Sequence, residues 1–273
     1  MNKFISILIL SSLCITLLRP FTVNANIYNN VNNKKLETKC ADLDNTCIDW
    51  FFIPNDEFRT PEINDKLKFK LSDYDAIYNG PTSSKNKSLY LTFDEGYENG
   101  YTDEILDVLK EKNVKAIFFV TSHYIVYSPD TVKRMVDEGH IVANHTKHHY
   151  SMPSVTYSSE VFNKELADVE NRFKELTNQD MVKLFRPPMG KYSEKSLSMT
   201  KDLGYKTVFW SFAYGDYDVN SQPSPEYAKK HILGHLHDGS ILLLHAISKT
   251  NANILGDVID EARKSGYEFY LLN

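Results

Sequence analysis

Residues 88–120 of the chain read SLYLTFDEGYENGYTDEILDVLKEKNVKAIFFV, and this stretch predicts a strand, a helix and a second strand. The apolar runs at residues 89–93 and 116–120 are nearly continuous, which is typical of parallel strands that are buried on both faces. Between the runs, Thr102 is the expected N-cap of a helix, because two acidic residues follow it and lysines occupy the predicted last turn. A unit of this kind indicates an α/β fold with right-handed crossovers.

The same alternation continues towards the C-terminus. Further apolar runs that predict strands lie at residues 141–143, 207–210, 241–244 and 268–272. A long helix with one apolar face is predicted from Phe162, Leu166, Val169, Phe173 and Leu176. Glycines, which favour the left-handed backbone that ends a helix, precede four of the runs at positions 139, 204, 239 and 266. We therefore expect a distorted (β/α) barrel of about seven units, with its site where the strands end.

The composition is that of a folded protein, because 42% of the 273 residues are hydrophobic and 25% are charged. The net charge is -5, and no cluster of Lys and Arg offers the positive surface that nucleic-acid binding needs, so nucleic acid is not an expected partner. The expected organisation is a signal peptide over residues 1–25, an irregular N-terminal extension over residues 26–86 and one main domain over residues 87–273.

The N-terminus has the features of a secretory signal peptide: Lys3, an apolar run at residues 4–18, and small residues before an expected cleavage site after Ala25. The run is short for a helix that spans a membrane. We therefore expect export with no stable membrane insertion after cleavage, and a retained N-terminal anchor is the alternative. Cys40 and Cys47 would remain after cleavage, either as a disulfide or as two unpaired thiols.

The predicted strand ends carry ionisable residues. They are Asp94, Glu95, His145, His149, Arg186, Asp216 and His245. In a βα barrel the strand ends meet in one pocket, so this arrangement indicates a polar site. His145 and His149 are four residues apart, and one helical turn between them would direct both imidazoles at a single metal ion.

These segments resemble the ordered motifs of the polysaccharide deacetylases, also called the NodB-homology family or carbohydrate esterase family four. The similarity covers roughly residues 87–272 and includes RPPMG at residues 186–190. TFDEGYENGY at residues 92–101, FFVTSH at residues 118–123 and LLHAIS at residues 243–248 further resemble the branch that deacetylates muramic acid in spore cortex. The resemblance implies a hydrolase that removes N-acetyl groups from a glycan with the help of a divalent metal ion.

The resemblance also implies catalytic roles. Asp94 would be the general base, and the guanidinium of Arg186 would orient it and keep it ionised. His245 would be the general acid, and Asp216 would keep its imidazole protonated.

Three further residues are expected to contact the substrate. By the resemblance, the backbone N–H of Met189 would face the developing oxyanion. Tyr97 and Trp210 are candidates to stack on sugar rings, as are Tyr101 and Tyr217, although aromatic side chains are also common core residues. The family usually has Trp where Tyr217 stands.

The predicted metal ligands are His145, His149 and Glu95. Zinc is the expected ion because it suits imidazole and carboxylate donors. Cobalt, nickel and manganese are alternatives. The family usually has Asp where Glu95 stands. The side chain of Glu is one methylene longer than that of Asp, so two outcomes are open. Either Glu95 binds the metal ion with adjusted geometry, or it turns away and leaves the two histidines, water and Asp94 as ligands.

The expected substrate is N-acetylmuramic acid in peptidoglycan, deacetylated for the muramic δ-lactam of spore cortex after an amidase has removed the stem peptides. N-acetylglucosamine in peptidoglycan, chitin-type oligomers and O-acetyl xylan are alternatives with the same chemistry. A protein that binds wall glycans and has lost catalysis through Glu95 is an alternative of another class. The retained Asp94, Arg186 and His245 count against it, because binding alone needs neither a base nor an acid.

Overall fold

The computed structural model describes residues 42–272 of the chain. The predicted signal peptide over residues 1–25 and its cleavage site lie outside the described residues, as does Cys40, so the choice between a disulfide and two unpaired thiols stays open. Cys47 itself is exposed. Within the described range, no helix is long and apolar enough to cross a membrane.

Twelve strands, most of them short, occur within residues 42–272. They are β1 (Ile48–Asp49), β2 (Phe52–Ile53), β3 (Glu62–Ile63), β4 (Ala76–Ile77), β5 (Lys87–Glu95), β6 (Ile117–Val120), β7 (Ile141–Asn144), β8 (Leu184–Phe185), β9 (Lys191–Tyr192), β10 (Lys206–Val208), β11 (Ser240–His245) and β12 (Tyr267–Phe269). The apolar runs predicted as strands correspond to β5, β6, β7, β10, β11 and β12, so these predictions are confirmed.

The main sheet has the order β11–β5–β6–β7–β8–β10–β4, with β12 also paired to β5, and all of these pairings are parallel. Its edges approach each other, because Asn79, two residues after β4, forms an isolated bridge with Ser240 of β11. Phe212, beyond β10, forms another with Leu242 of β11. The sheet is a half-barrel, which confirms the predicted α/β fold with a distorted barrel. One of its strands, β4, comes from the extension that the sequence predicts to be irregular.

Seven α-helices surround this sheet within the described residues. They are α1 (Thr102–Glu111), α2 (Ser122–Tyr127), α3 (Pro129–Asp137), α4 (Ser159–Thr177), α5 (Glu194–Asp202), α6 (Pro225–Gly234) and α7 (Lys249–Lys264). The predicted apolar face of α4 is confirmed, since Phe162, Leu166, Val169 and Phe173 are buried. The glycines at positions 139, 204 and 266 have φ between +80° and +83° and stand two residues after a helix, as predicted. Gly239 (φ +87°) lies instead in the turn before β11, five residues after α6 ends.

The start of α1 differs from the prediction. Tyr101 is the N-cap, and Thr102 is the first helical residue. Glu98 lies just outside this end: its Oε1 accepts a hydrogen bond from the backbone N–H of Thr102 at 3.5 Å, and from those of Asn99 at 2.9 Å and Gly100 at 2.6 Å in the turn before the helix. The longer side chain of Glu98 reaches these donors from outside the helix, in a position that the usual capping pattern does not identify.

The described part of the N-terminal extension packs on the main domain next to Gly190 and Trp210. Trp50 stacks on Phe209 with ring centroids 4.3 Å apart, and its Nε1–H donates to the backbone oxygen of Trp210 at 3.0 Å. Its backbone N–H donates to the backbone oxygen of Gly190 at 2.8 Å. The extension therefore supports the backbone on which two predicted substrate contacts lie.

Candidate active site

The carboxyl ends of the main-sheet strands surround a cavity of about 1000 Å³. The predicted site residues that line it are Asp94, Tyr97, His145, His149, Met189, Trp210, Tyr217 and His245. Arg186 and Asp216 are fully buried behind this lining, and Glu95 is fully buried as well. Tyr101 lines a smaller neighbouring cavity instead.

Asp94, near the end of β5, is held by Arg186. The Nη1 of Arg186 donates to Oδ1 of Asp94 and to the hydroxyl of Thr92, both at 2.8 Å. The Nε of Arg186 donates to the backbone oxygen of Val208 at 3.1 Å. Burial alone would raise the pKa of Asp94, but the charge of Arg186 and of the nearby histidines outweighs burial, and the pKa lies below its usual value. The carboxylate is therefore ionised at neutral pH, as a general base must be.

His245, the last residue of β11, is held by Asp216. Its Nδ1 lies 2.7 Å from Oδ1 of Asp216, and its backbone N–H donates to Oδ2 at 2.8 Å. Asn251 donates a further hydrogen bond to Oδ2 at 2.7 Å. Burial lowers the pKa of His245, but the charge of Asp216 and its hydrogen bond outweigh burial, so the pKa is raised. Since Nδ1 is committed to Asp216, Nε2 is the nitrogen that can give a proton to a substrate.

His145 and His149 lie together, but not on a helical turn. β7 ends at Asn144, and the loop that follows has left-handed backbone at Thr146 (φ +71°) and His149 (φ +58°). This loop brings the two rings to a centroid distance of 4.9 Å. The prediction of a helical turn is therefore wrong, because two left-handed residues interrupt the backbone that a helix would need.

The chemistry of His145 suits a metal ligand. Its Nδ1 lies 2.8 Å from the backbone oxygen of Arg186, and its Nε2 lies 3.6 Å from Oδ2 of Asp94. Burial lowers the pKa of His145 to about 4. The imidazole is therefore neutral at pH 7, with Nδ1–H donating to Arg186 and the lone pair of Nε2 directed at the cavity, which is the form that binds metal ions.

Glu95 lies on the opposite face of β5 from Asp94, because neighbouring residues of a strand point to opposite faces. Within residues 42–272, neither carboxylate oxygen of Glu95 has a hydrogen-bond partner. Burial raises the pKa of Glu95 well above its usual value, and the charges of Glu98 and Asp94 raise it further. In the described conformation Glu95 thus lies in the helix layer, where burial favours its protonated form.

The predicted metal ligands are therefore only partly assembled. No group of three or more His, Cys, Asp and Glu side chains in the described part of the chain is arranged to hold a metal ion. His145 and His149 fit such an ion as neighbouring imidazole donors, whereas Glu95 would have to turn from the helix layer to the cavity. Its role as a ligand stays a prediction.

The turn after β8 presents Met189 to the cavity. Met189 is left-handed, with φ +59°. Gly190 follows with φ +64°, and a Cβ at this position would come within 2.9 Å of Trp210 and Trp50. A larger residue therefore has no room, and Gly190 lets the turn pack closely against both tryptophans. Tyr97 and Tyr217 line the same cavity and are 46% and 65% exposed.

Sequence reasoning did not identify three residues that the structure adds to the site: Thr92, Lys147 and Asn251. Thr92 could have been found, since strand alternation places it on the same face as Asp94, two residues away. Lys147 stands between the two histidines of the loop and lines the cavity. Asn251 contacts Asp216 from another element, and nothing in the local sequence indicates this contact.

Comparisons with known proteins give the same picture. The sequence profile of the polysaccharide deacetylase family matches residues 82–208. A peptidoglycan-N-acetylmuramic acid deacetylase from Bacillus subtilis is 42% identical over 225 residues, which are 82% of this chain and 84% of the relative. A peptidoglycan-N-acetylglucosamine deacetylase from Bacillus cereus is 30% identical over 190 residues, which are 68% of this chain and 86% of that relative.

The fold has a close counterpart among solved structures. A family 4 carbohydrate esterase from Bacillus subtilis superposes with a TM-score of 0.79 at 41% sequence identity. The similarity covers 84% of this chain and 96% of the solved chain. It therefore extends over a larger share of the chain than the profile match.

Proposed function

The chain belongs to the polysaccharide deacetylase family, and on this premise we propose that it removes the N-acetyl group from N-acetylmuramic acid in peptidoglycan by metal-assisted hydrolysis. One observation carries the proposal. Asp94 and His245 lie side by side at the carboxyl ends of two strands, where Arg186 hydrogen-bonds Asp94 and Asp216 contacts His245. Amide hydrolysis requires such a base and acid, whereas glycan binding does not. The N-acetylmuramic acid deacetylase is also the more similar of the two relatives described above.

The residues of the chain account for the proton transfers. Asp94 accepts a proton from the attacking water, whose oxygen forms the new bond to the acetyl carbon. The backbone N–H of Met189 donates to the oxyanion that develops on the acetyl oxygen. His245 then donates the proton on Nε2 to the sugar nitrogen as the carbon–nitrogen bond breaks. The products are acetate and a free amino sugar.

His145 and His149 would hold the divalent metal ion, for which we propose zinc, and Glu95 would join them after turning to the cavity. When bound, such an ion polarises the acetyl carbonyl and lowers the pKa of water. Zinc is favoured because the histidines are neutral imidazole donors in a buried or half-enclosed position. The unpartnered carboxylate of Glu95 supports its part in the proposal, because no hydrogen bond within the described residues retains it in the helix layer.

The chemistry of the product supports a role in forming the muramic δ-lactam of spore cortex. Deacetylation leaves an amine next to the lactyl ether on the same ring. Where an amidase has removed the stem peptide first, the lactyl carboxyl is free, and the two groups are held in position to close a lactam. We therefore place the enzyme after an amidase and outside the cytoplasmic membrane, in agreement with the predicted signal peptide.

Release of acetate tests the proposal. Glycan strands that carry peptide-free N-acetylmuramic acid are incubated with the zinc-loaded protein, with the chelated protein and with the chelated protein after zinc is restored. We expect acetate in the first and third reactions only. Release from chitin-type oligomers or O-acetyl xylan alone would favour the other substrates, and binding of strands without any acetate would favour a non-catalytic wall-binding protein.

A further inference from the structure

We propose that Lys147 binds the lactyl carboxylate of N-acetylmuramic acid and thereby distinguishes this sugar from N-acetylglucosamine, an inference that rests on the proposed function. The two sugars differ by the lactyl ether, whose carboxylate is free once the stem peptide is gone. A pocket that selects the acidic sugar therefore needs a cation close to the reacting acetamido group.

Lys147 is the one Lys or Arg residue, among residues 42–272, that lines the cavity. It lies in the loop between His145 and His149, so its position is tied to that of the proposed metal site. Its backbone N–H donates to the backbone oxygen of Glu165 in α4 at 2.9 Å. The side chain is 35% exposed, so it is accessible to a ligand and partly shielded from water.

The charges around Lys147 leave its ammonium incompletely compensated. Its Nζ lies 3.5 Å from Oδ1 of Asp168. The other oxygen of Asp168 accepts hydrogen bonds from Nε of Arg172 at 2.6 Å and from the hydroxyl of Ser122 at 2.8 Å. Two cations thus share one carboxylate, and the group carries a net positive charge. Since an ammonium has three donors, a carboxylate of the substrate can bind Lys147 without displacing Asp168.

Two other basic groups at or near the cavity are already paired with a carboxylate of the protein. The Nδ1 of His148 is 2.6 Å from Oε1 of Glu165, so a carboxylate of the protein matches any charge on this ring. Arg186 is fully buried and bound to Asp94. Lys249 is exposed and lines the smaller neighbouring cavity, which makes it a matched control for the loss of one positive charge.

The test combines two changes, one in the substrate and one in the protein. The substrates are peptide-free muramic glycan fragments with the free lactyl carboxylate and the same fragments with that group converted to the neutral amide. The zinc-loaded proteins are the parent, Lys147→Gln, Lys147→Arg and Lys249→Gln. The ratio of kcat/KM for the acid to kcat/KM for the amide is measured, together with zinc content and thermal unfolding of each variant.

The expected ratio is about five to ten for the parent, the size of one charge-assisted hydrogen bond that is partly exposed to solvent. Lys147→Gln should bring the ratio to about one, mostly through KM on the acid, while zinc content stays the same. Lys147→Arg should have a ratio only slightly below that of the parent, and Lys249→Gln should have the same ratio as the parent.

Several results would overturn the proposal. A parent that deacetylates the acid and the amide equally well has no carboxylate recognition, although the deacetylase assignment would stand. If Lys147→Gln lowers kcat/KM by the same factor on the acid and on the amide, Lys147 only stabilises the loop and does not bind the carboxylate. Loss of the ratio in Lys249→Gln would move the carboxylate site to the neighbouring cavity. No acetate from either substrate with the parent would overturn the proposed function as well.

Discussion

Asp94 and His245 are paired in register across the adjacent parallel strands β5 and β11, so their side chains leave the sheet at the same level. Each is held from behind by a residue of opposite charge, Arg186 for Asp94 and Asp216 for His245. The two contacts move the pKa values in opposite directions, below the usual value for Asp94 and above it for His245. At neutral pH one group is therefore ready to accept a proton while its neighbour is ready to give one.

The first prediction separates the base from the metal ligands. His145→Ala and His149→Ala should each lose bound zinc and activity together. Asp94→Asn should keep most of the zinc and lower kcat by about 10²- to 10⁴-fold, the usual contribution of a general base. Asn can still accept the hydrogen bond from Arg186, so the fold should survive. Zinc content by elemental analysis and kcat are measured on the same samples, and loss of zinc in Asp94→Asn would make Asp94 a ligand.

A second prediction concerns the alkaline limb of the pH–rate profile. The general acid works only while His245 is protonated, so kcat/KM should fall as the pH rises through its raised pKa. Asp216→Asn removes the charge that raises this pKa, so the limb should move to lower pH. Tyr217→Phe is the control, because it changes a ring 6.0 Å from that of His245 and leaves the carboxylate of Asp216 in place. A limb that stays in place in Asp216→Asn would mean that another group supplies the proton.

Glu95 gives a third prediction, on stability in the presence of a chelator. Its folded pKa lies above its unfolded value, so folding binds a proton, and the free energy of unfolding decreases as the pH rises from the unfolded pKa to the folded one. Glu95→Gln lacks this loss. The free energy of unfolding of Glu95→Gln should equal that of the parent near pH 4. Above that pH it should exceed the parent's by an amount that grows by at most about 1.4 kcal/mol per pH unit. Urea unfolding across this range measures the difference.

Glu98 is the matched control for this experiment. Burial alone would raise its pKa, but hydrogen bonds to Thr102, Tyr124 and Gly100 outweigh burial and lower it. Glu98 therefore stabilises the folded state above its unfolded pKa, so Glu98→Gln should be less stable than the parent at neutral pH, with the difference shrinking as the pH falls through the folded pKa. If the advantage of Glu95→Gln does not change with pH, Glu95 is not buried in its protonated form.

Binding of zinc tests the predicted ligand role of Glu95 separately. Glu95→Asp should bind zinc more tightly than the parent in calorimetric titrations, because Asp is the usual residue of the family at this position and suits its coordination geometry. Glu95→Ala should bind zinc more weakly. Unchanged affinity in both variants would show that this side chain never reaches the metal ion.

The repeated strands and helices could be predicted because the information is local. The continuous apolar runs of β5 and β6 and the apolar face of α4 are visible in short windows of sequence. β4 is different, since it has only two residues, Ala76 and Ile77, and is a strand because it pairs with Thr207 and Val208 far along the chain. Pairing of this kind depends on tertiary structure and leaves no local pattern.

In the site, too, some features have a local sequence signal and others depend on tertiary structure. Asp94, Arg186, His145 and His245 could be identified because each stands at a strand end within a recognisable motif. The shape of the loop from His145 to His149 could not, because left-handed backbone at Thr146 has no sequence signal as clear as a glycine. The position of Glu95 on the helix side of β5 was available from strand alternation, and only the family pattern argued for the cavity.

The most direct test of the central claim identifies the sugar that loses its acetyl group. Glycan strands, with and without prior amidase treatment, are incubated with the zinc-loaded protein, digested to fragments and analysed by mass spectrometry. The account predicts loss of acetyl groups from muramic acid, and much more of it on amidase-treated strands than on peptide-bearing strands. Acetyl loss confined to glucosamine, or equal loss from muramic acid on both kinds of strand, would contradict it.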